Sequence, residues 1–141
     1  MLTITPRRGT LAQNIGAVVR FDDGEVWLSD YRTMRAADGS VRFQITNTFL
    51  PGADILIDGT RHPLVRFRGF LGGRTILLLG ETEVEVEEKR LPRKVQISFG
   101  RWSAEYAEDT FAMTVDVRRE EPAFPFVLAG AHQLWAAKSG S

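Results

Sequence analysis

Residues 110–137 read TFAMTVDVRREEPAFPFVLAGAHQLWAA, a strand pattern that gives way to a helix pattern. In residues 110–118 apolar and polar side chains alternate, which is the period of a half-buried strand. From Phe124 onward the alternation stops, and apolar residues recur at spacings of three and four. The other positions of this segment are mostly apolar as well, so the helix must be buried on all sides. We expect it at about residues 122–137.

Short alternating segments precede this stretch. Residues 82–87 read TEVEVE and residues 94–99 read KVQISF, each with its apolar side chains on one face. Between them, residues 89–92 read KRLP and are expected to form the hairpin loop. Further strands are predicted at residues 17–21, 25–29, 41–47, 54–57, 64–68, 75–79 and 101–106. Three Asp-Gly pairs, which tolerate the positive φ of tight turns, separate several of these strands.

The two patterns together predict the fold class. Many short strands at this spacing are typical of a sandwich or barrel, and the apolar helix needs a place inside it. We therefore expect a mostly β chain: an antiparallel β-barrel or strongly curved sheet packed around a hydrophobic C-terminal α-helix. The 141 residues fit one domain of common size, so residues 1–141 are predicted to form a single β-rich domain.

Composition limits the classes of function. The 18 basic and 18 acidic residues cancel, so no net field draws the chain to nucleic acid, and no nucleic-acid partner is expected. There are no cysteines, which excludes a disulfide framework and the common structural zinc sites. The first residues lack the apolar core of a signal peptide, and no apolar run reaches the roughly 18 residues of a membrane span. We expect a cytoplasmic protein without a transmembrane segment. The sequence does not determine its oligomeric state.

The residue types that carry catalysis are sparse. Neither His62 nor His132 stands at a metal-ligand spacing. His62, beside Pro63, is expected in a solvated turn, and His132 is expected to be a helix residue with one hydrogen-bond partner. The serines show no adjacent base, and no G-x-S-x-G motif is present. The chain is therefore predicted not to be an enzyme and to use no cofactor and no metal.

A run of glutamates marks one predicted strand. Glu83, Glu85 and Glu87 share a face, about 7 Å apart. A calcium site needs oxygens that converge more closely, usually from a loop. We expect a solvated surface whose charges pair with basic residues across the hairpin. Those basic residues are Lys89, Arg90, Arg93 and Lys94.

Four arginines form the candidate binding patch. They are Arg61, Arg66, Arg68 and Arg74. Two of them, Arg66 and Arg68, would share one strand face. Guanidinium groups in this number could hold a phosphate or a lipid headgroup. The alternative is an ordinary polar strand face whose charge is balanced by Asp54 and Asp58.

The order of the elements resembles a known family. Successive Asp-Gly hairpins followed by one hydrophobic helix are similar to the tubby C-terminal-like superfamily, which includes LURP-one-related proteins and phospholipid scramblases. Residues 111–117, FAMTVDV, then an acidic stretch and the helix FPFVLAGA at residues 124–131, look like that family's final strand and core helix. The resemblance implies a closed barrel threaded by the helix and, in some branches, lipid or phosphoinositide binding. The sequence contains no local motif of the family by which a binding residue could be assigned.

These observations predict a non-enzymatic binding module for anionic lipid headgroups, a membrane surface or a protein partner. The alternative is a β-barrel that carries a small apolar ligand, as lipocalin-like folds do. A helix that filled the barrel would remove the cavity such a carrier needs.

Overall fold

The computed structural model describes residues 1–47, 52–66, 75–79, 82–114 and 118–139. Within these ranges the chain forms twelve β-strands followed by one α-helix. The strands are β1 (Leu2–Arg8), β2 (Asn14–Phe21), β3 (Val26–Ser29), β4 (Thr33–Arg35), β5 (Val41–Asn47), β6 (Gly52–Ile57), β7 (Thr60–Arg66), β8 (Thr75–Leu79), β9 (Thr82–Leu91), β10 (Lys94–Phe99), β11 (Trp102–Ala107) and β12 (Thr110–Met113). The helix α1 spans Phe124–Ser139.

The strands build one antiparallel sheet in the order β7-β6-β5-β4-β3-β2-β1-β12-β11-β10-β9-β8. Every neighbouring pair except one is consecutive in the chain. The exception is β1 with β12, where Ile4 stands opposite Phe111 and joins the two halves of the meander. The end strands β7 and β8 lie beside each other, but no ladder joins them in the described part of the chain. Over the described residues the sheet is strongly curved and is not closed into a barrel.

Alternation along the strands separates the core from the surface. In β9, Val84 and Val86 are buried while Glu83, Glu85 and Glu87, which alternate with them, are exposed. In β12, Phe111 and Met113 are fully buried. This agrees with the predicted faces of both strands, because successive side chains of a strand point to opposite sides of the sheet. Val115 and Val117, predicted to continue the last strand, lie outside the described residues.

The helix begins and ends two residues later than the sequence predicts. Four consecutive residues, Leu128 to Ala131, are buried. Since each residue turns the helix by about 100°, four in a row cover its whole circumference. Strands on both sides of β1 reach it: the Phe124 ring lies 5.7 Å from the Trp27 ring of β3, and Lys138 pairs with Glu88 of β9 at 2.6 Å. The curved sheet therefore packs around the helix, as expected.

Some boundaries differ from the prediction. Strands β1 and β4 were not expected, because Pro6 interrupts the pattern of the first and the second has three residues. Strand β9 continues to Leu91, so the hairpin turn is formed by Pro92 and Arg93, not by residues 89–92. His62 lies within β7 and packs edge-on against Phe126 at 5.4 Å, so it is not in a solvated turn.

Candidate functional site

The predicted arginine patch falls partly within the described chain. Arg61 and Arg66 belong to β7, whereas Arg68 and Arg74 lie outside the described residues. The Arg61 side chain is 63% exposed and stands 3.7 Å from the Asp54 carboxylate on β6. An exposed ion pair of this kind contributes little to stability. The Arg61 guanidinium is thus available to solvent but has a carboxylate as its neighbour.

A bulge in β7 sets which positions share a face. Arg61 stands opposite Leu56, and Arg66 stands opposite Gly52, with a register shift between them where β7 carries one extra residue. Leu56, Asp54 and Gly52 are alternate positions of β6 and so belong to one face. Positions five apart on a regular strand would lie on opposite faces, but the bulge restores the match. The bulge therefore places positions 61 and 66 on the same face of the sheet, which the sequence did not predict.

A buried Ser–His pair was also missed. The His132 Nε2 of α1 lies 2.9 Å from the Ser29 Oγ of β3. Both residues are almost fully buried, at 1% and 2% exposed. The Ser29 hydroxyl oxygen also accepts the Tyr31 backbone N–H at 3.0 Å. Because the two side chains come from positions 103 residues apart, no local motif could reveal that Ser29 has a base beside it.

The electrostatics of this pair favour a neutral imidazole. Burial lowers the pKa of His132 to about 4, against a smaller opposing effect of the Asp30 charge. Among the described residues, His132 Nδ1 has no hydrogen-bond partner, so a second ring proton would have no acceptor. A Ser–His pair in a hydrolase must meet its substrate, yet both side chains here are sealed from solvent. The geometry fits an anchor between helix and sheet.

Tyr31 completes this buried cluster. Its backbone has a φ of 81°, a left-handed conformation that costs a residue with a side chain roughly 1–2 kcal/mol. The Tyr31 ring lies 6.1 Å from both His132 and Trp135, and is nearly parallel to the Trp135 indole. Aromatic packing with the helix offsets the backbone strain. The turn after β3 is therefore held in shape by α1.

A second anchor lies where the helix begins. The Arg119 guanidinium pairs with Asp23 and Glu25 at the end of the β2–β3 hairpin and lies 4.5 Å above the Phe21 ring. Glu25 in turn accepts the Trp27 Nε1–H at 2.8 Å. With two carboxylates and a ring around it, Arg119 is committed to holding the chain before α1 against the sheet. It does not offer its charge to a ligand.

The glutamates of β9 lie on the surface. Glu83 and Glu87 are exposed, and no cluster of three potential metal ligands occurs in the described ranges of the chain. Two of the charged groups have partners other than those predicted: Glu88 pairs with Lys138 of α1, and Lys94 pairs with Glu105 of β11 at 3.4 Å. The outer face of β9 is charged, and its Glu88 is paired with Lys138 of α1.

Comparisons with protein-family models, with curated proteins and with solved structures each found no match. Among the described residues, no helix has both the length and the apolar character needed to cross a lipid bilayer. The described residues thus offer two polar features: the exposed Arg61 guanidinium on β7 and the buried Ser29–His132 pair inside the sheet.

Proposed function

We propose that this chain is a non-enzymatic binding module, similar to the tubby C-terminal-like superfamily, that binds anionic headgroups of a membrane surface through β7. The observation that carries the proposal is the bulge in β7, which puts positions 61 and 66 on one face of the sheet. Arg68 and Arg74 follow in the sequence within eight residues of Arg66. Guanidinium groups match the phosphate geometry of lipid headgroups and stay charged.

The buried helix supports binding at the outer surface rather than inside. A carrier of apolar molecules needs an enclosed cavity of a few hundred Å³. Here Leu128, Ala129 and Ala131 are fully buried against the sheet, and Trp135 fills the next turn. The helix thus occupies the volume that a lipocalin-like carrier would use, which disfavours the apolar-ligand alternative.

Two further features support the proposal. In the described part of the chain, antiparallel strands followed by one buried helix have the element order of the family that the sequence resembles. The Ser29–His132 pair has the composition of a catalytic dyad but lacks access to a substrate. Both favour a scaffold that presents a surface over one that encloses a reaction.

Binding of this type is electrostatic and therefore sensitive to salt. Each basic residue close to an anionic surface contributes about 1 kcal/mol. Removal of Arg61 and Arg66 together should then weaken binding by about 30-fold, since 1.4 kcal/mol is a factor of ten. Salt at about 0.5 M should abolish binding, because the screening length falls well below 10 Å.

The test is sedimentation with phosphatidylserine-rich vesicles at low and high salt. We expect the wild-type chain to sediment at low salt and the Arg61→Ala/Arg66→Ala variant to remain largely in solution. The matched control is Lys89→Ala/Arg90→Ala, which removes the same charge from exposed positions of β9 and should sediment like wild type. A wild-type chain that ignores anionic vesicles at low salt would contradict membrane binding and make a protein partner the better proposal.

A further inference from the structure

A groove of about 510 Å³ lies on the outer face of the sheet over β3 and β4. We name it the β3–β4 groove. Its walls include the charged side chains of Arg7, Asp30 and Arg35 and the apolar side chains of Val26 and Leu28. A volume of this size is within the range of small-ligand sites.

Small residues produce the depth of the groove. Ala36, Ala37 and Gly39 form one side. At Gly39, which has a φ of +85° in the turn after β4, nothing lies within 4 Å of where a Cβ would be. On β2, the strand beside β3, the Gly16 backbone lies so close to the Ser29 carbonyl that a Cβ on Gly16 would stand 1.7 Å from that oxygen.

The charges of the groove favour an anion. Arg7 is half-buried, and within the described part of the chain neither an ion pair nor a side-chain hydrogen bond engages it. Arg35 donates to the Gly39 carbonyl at 3.3 Å, which leaves most of its N–H groups free. The one carboxylate, Asp30, already accepts the backbone N–H groups of Arg32 and Thr33 through Oδ1, at 3.0 and 2.8 Å. Two arginines against one occupied carboxylate leave a net positive site.

An apolar surface adjoins these charges. Leu28 lies on the outer face of β3 and is 40% exposed, so its side chain offers apolar surface beside the charges. In the strand register Leu28 stands opposite Arg35, so the leucine side chain and one of the guanidinium groups are direct neighbours. A ligand that satisfied both would carry an anionic group attached to a short apolar group.

The number of donors distinguishes between anions. One guanidinium group can donate a hydrogen bond to each oxygen of a carboxylate. A phosphate monoester has three terminal oxygens, which can accept hydrogen bonds from two guanidinium groups. We infer that the β3–β4 groove is a binding site for a phosphate monoester with a short apolar substituent, held by Arg7 and Arg35 and packed on Leu28. This site goes beyond the proposed membrane patch, since it lies on β1, β3 and β4 rather than on β7.

Calorimetric titration of the full chain with hexyl phosphate and with inorganic phosphate tests the inference. We expect hexyl phosphate to bind more tightly than inorganic phosphate, and Arg7→Ala to weaken hexyl phosphate at least ten-fold. Leu28→Ser should remove the preference for the alkyl ester and leave affinity for inorganic phosphate unchanged. Arg90→Ala, an exposed arginine on β9, is the matched control and should bind like wild type. Absence of hexyl phosphate binding, or full binding by Arg7→Ala, would overturn the site.

Two additional measurements keep the result interpretable. Arg7→Lys retains the charge but loses the guanidinium fork, so an intermediate affinity with an unchanged melting temperature shows that recognition rather than folding was altered. Competition with vesicles that contain phosphatidic acid identifies the source of the monoester: displacement of hexyl phosphate indicates a lipid headgroup, and its persistence indicates a soluble ester. The Arg61→Ala/Arg66→Ala variant should keep hexyl phosphate binding, so failure of the membrane proposal and failure of this site are separate results.

Discussion

The His132 imidazole, at the middle of α1, is hydrogen-bonded to the Ser29 hydroxyl of β3 at 2.9 Å inside the curved sheet. In the described part of the chain, Ser29 and His132 are the only buried polar residues, and the residues around them form an apolar core. A lone polar pair in such a core has no water to replace a lost partner. The contribution of this pair to the stability of the fold, and the way that stability depends on pH, can therefore be predicted.

Substitution of Ser29 by alanine should destabilise the fold. The His132 Nε2 would lose its partner in a site without solvent, which costs about 1–3 kcal/mol. Urea denaturation of Ser29→Ala and wild type measures the difference in the free energy of unfolding. Ser98→Ala, at an exposed position of β10, should change it by less than about 0.5 kcal/mol. Equal stabilities of Ser29→Ala and wild type would show that the buried bond contributes nothing.

Acidification should weaken the fold through His132. The pKa of His132 is about 4 in the folded chain because of burial, against 6.5 when solvated. Between these two pH values His132 is protonated in the unfolded chain but neutral in the folded chain. The free energy of unfolding therefore falls as pH falls, by about 3 kcal/mol in total. Urea denaturation at neutral pH and just above pH 4 measures this. His132→Gln should flatten the dependence and His62→Gln should preserve it; an equal slope in wild type and His132→Gln would refute the assignment.

A charge placed inside the helix should be severely destabilising. Leu128 is fully buried, so Leu128→Asp buries an unpaired carboxylate and should cost several kcal/mol. Leu128→Ala should cost about 2–5 kcal/mol through the cavity that it leaves. Thermal melting and solubility report both effects. Ala123→Asp, exposed just before the helix, introduces the same charge and should leave the melting temperature close to wild type. A stable, soluble Leu128→Asp would contradict the buried helix.

The β11–β12 turn offers a stabilising substitution. Glu108 and Asp109 have φ values of 50° and 65°, a pair of left-handed residues where glycine or asparagine is preferred. Glu108 is exposed, so Glu108→Gly should relieve strain and raise the free energy of unfolding by up to about 1 kcal/mol. Asp109→Gly should do the opposite, because the Asp109 carboxylate accepts from Tyr106 and Arg8. Chemical denaturation of the two variants should therefore give shifts of opposite sign.

Local periodicity was sufficient for most of the architecture. Alternation identified β9 and β10 through their valines, isoleucine and phenylalanine, and the loss of alternation at Phe124 identified the helix. These signals are local because a strand face or a helix circumference is defined by neighbours in the chain. Strand β1 was not predicted because Pro6 argues against a strand in the interior of a sheet. Strand β4 was not predicted because three residues are too few to show an alternating pattern.

The sites depended on information that the sequence does not display locally. The base beside Ser29 comes from a residue 103 positions away. The face shared by Arg61 and Arg66 depends on one extra residue in β7, and a single-residue shift reverses which side every later position occupies. The β3–β4 groove combines Arg7 with Arg35, which only the folding of β1 beside β2 and β3 brings to one surface.

The pairing of β1 with β12 determines when the chain can fold during synthesis. Ile4 must wait for Phe111 to leave the ribosome, and at about 5–20 residues per second this takes roughly 5–20 s. The helix follows the described strands in the chain, so until it emerges the apolar inner faces of the nascent hairpins have no cover. Edges and apolar faces left open for that time are the features that promote aggregation. Translation of this chain should therefore benefit from a chaperone that shields the growing meander until α1 enters it.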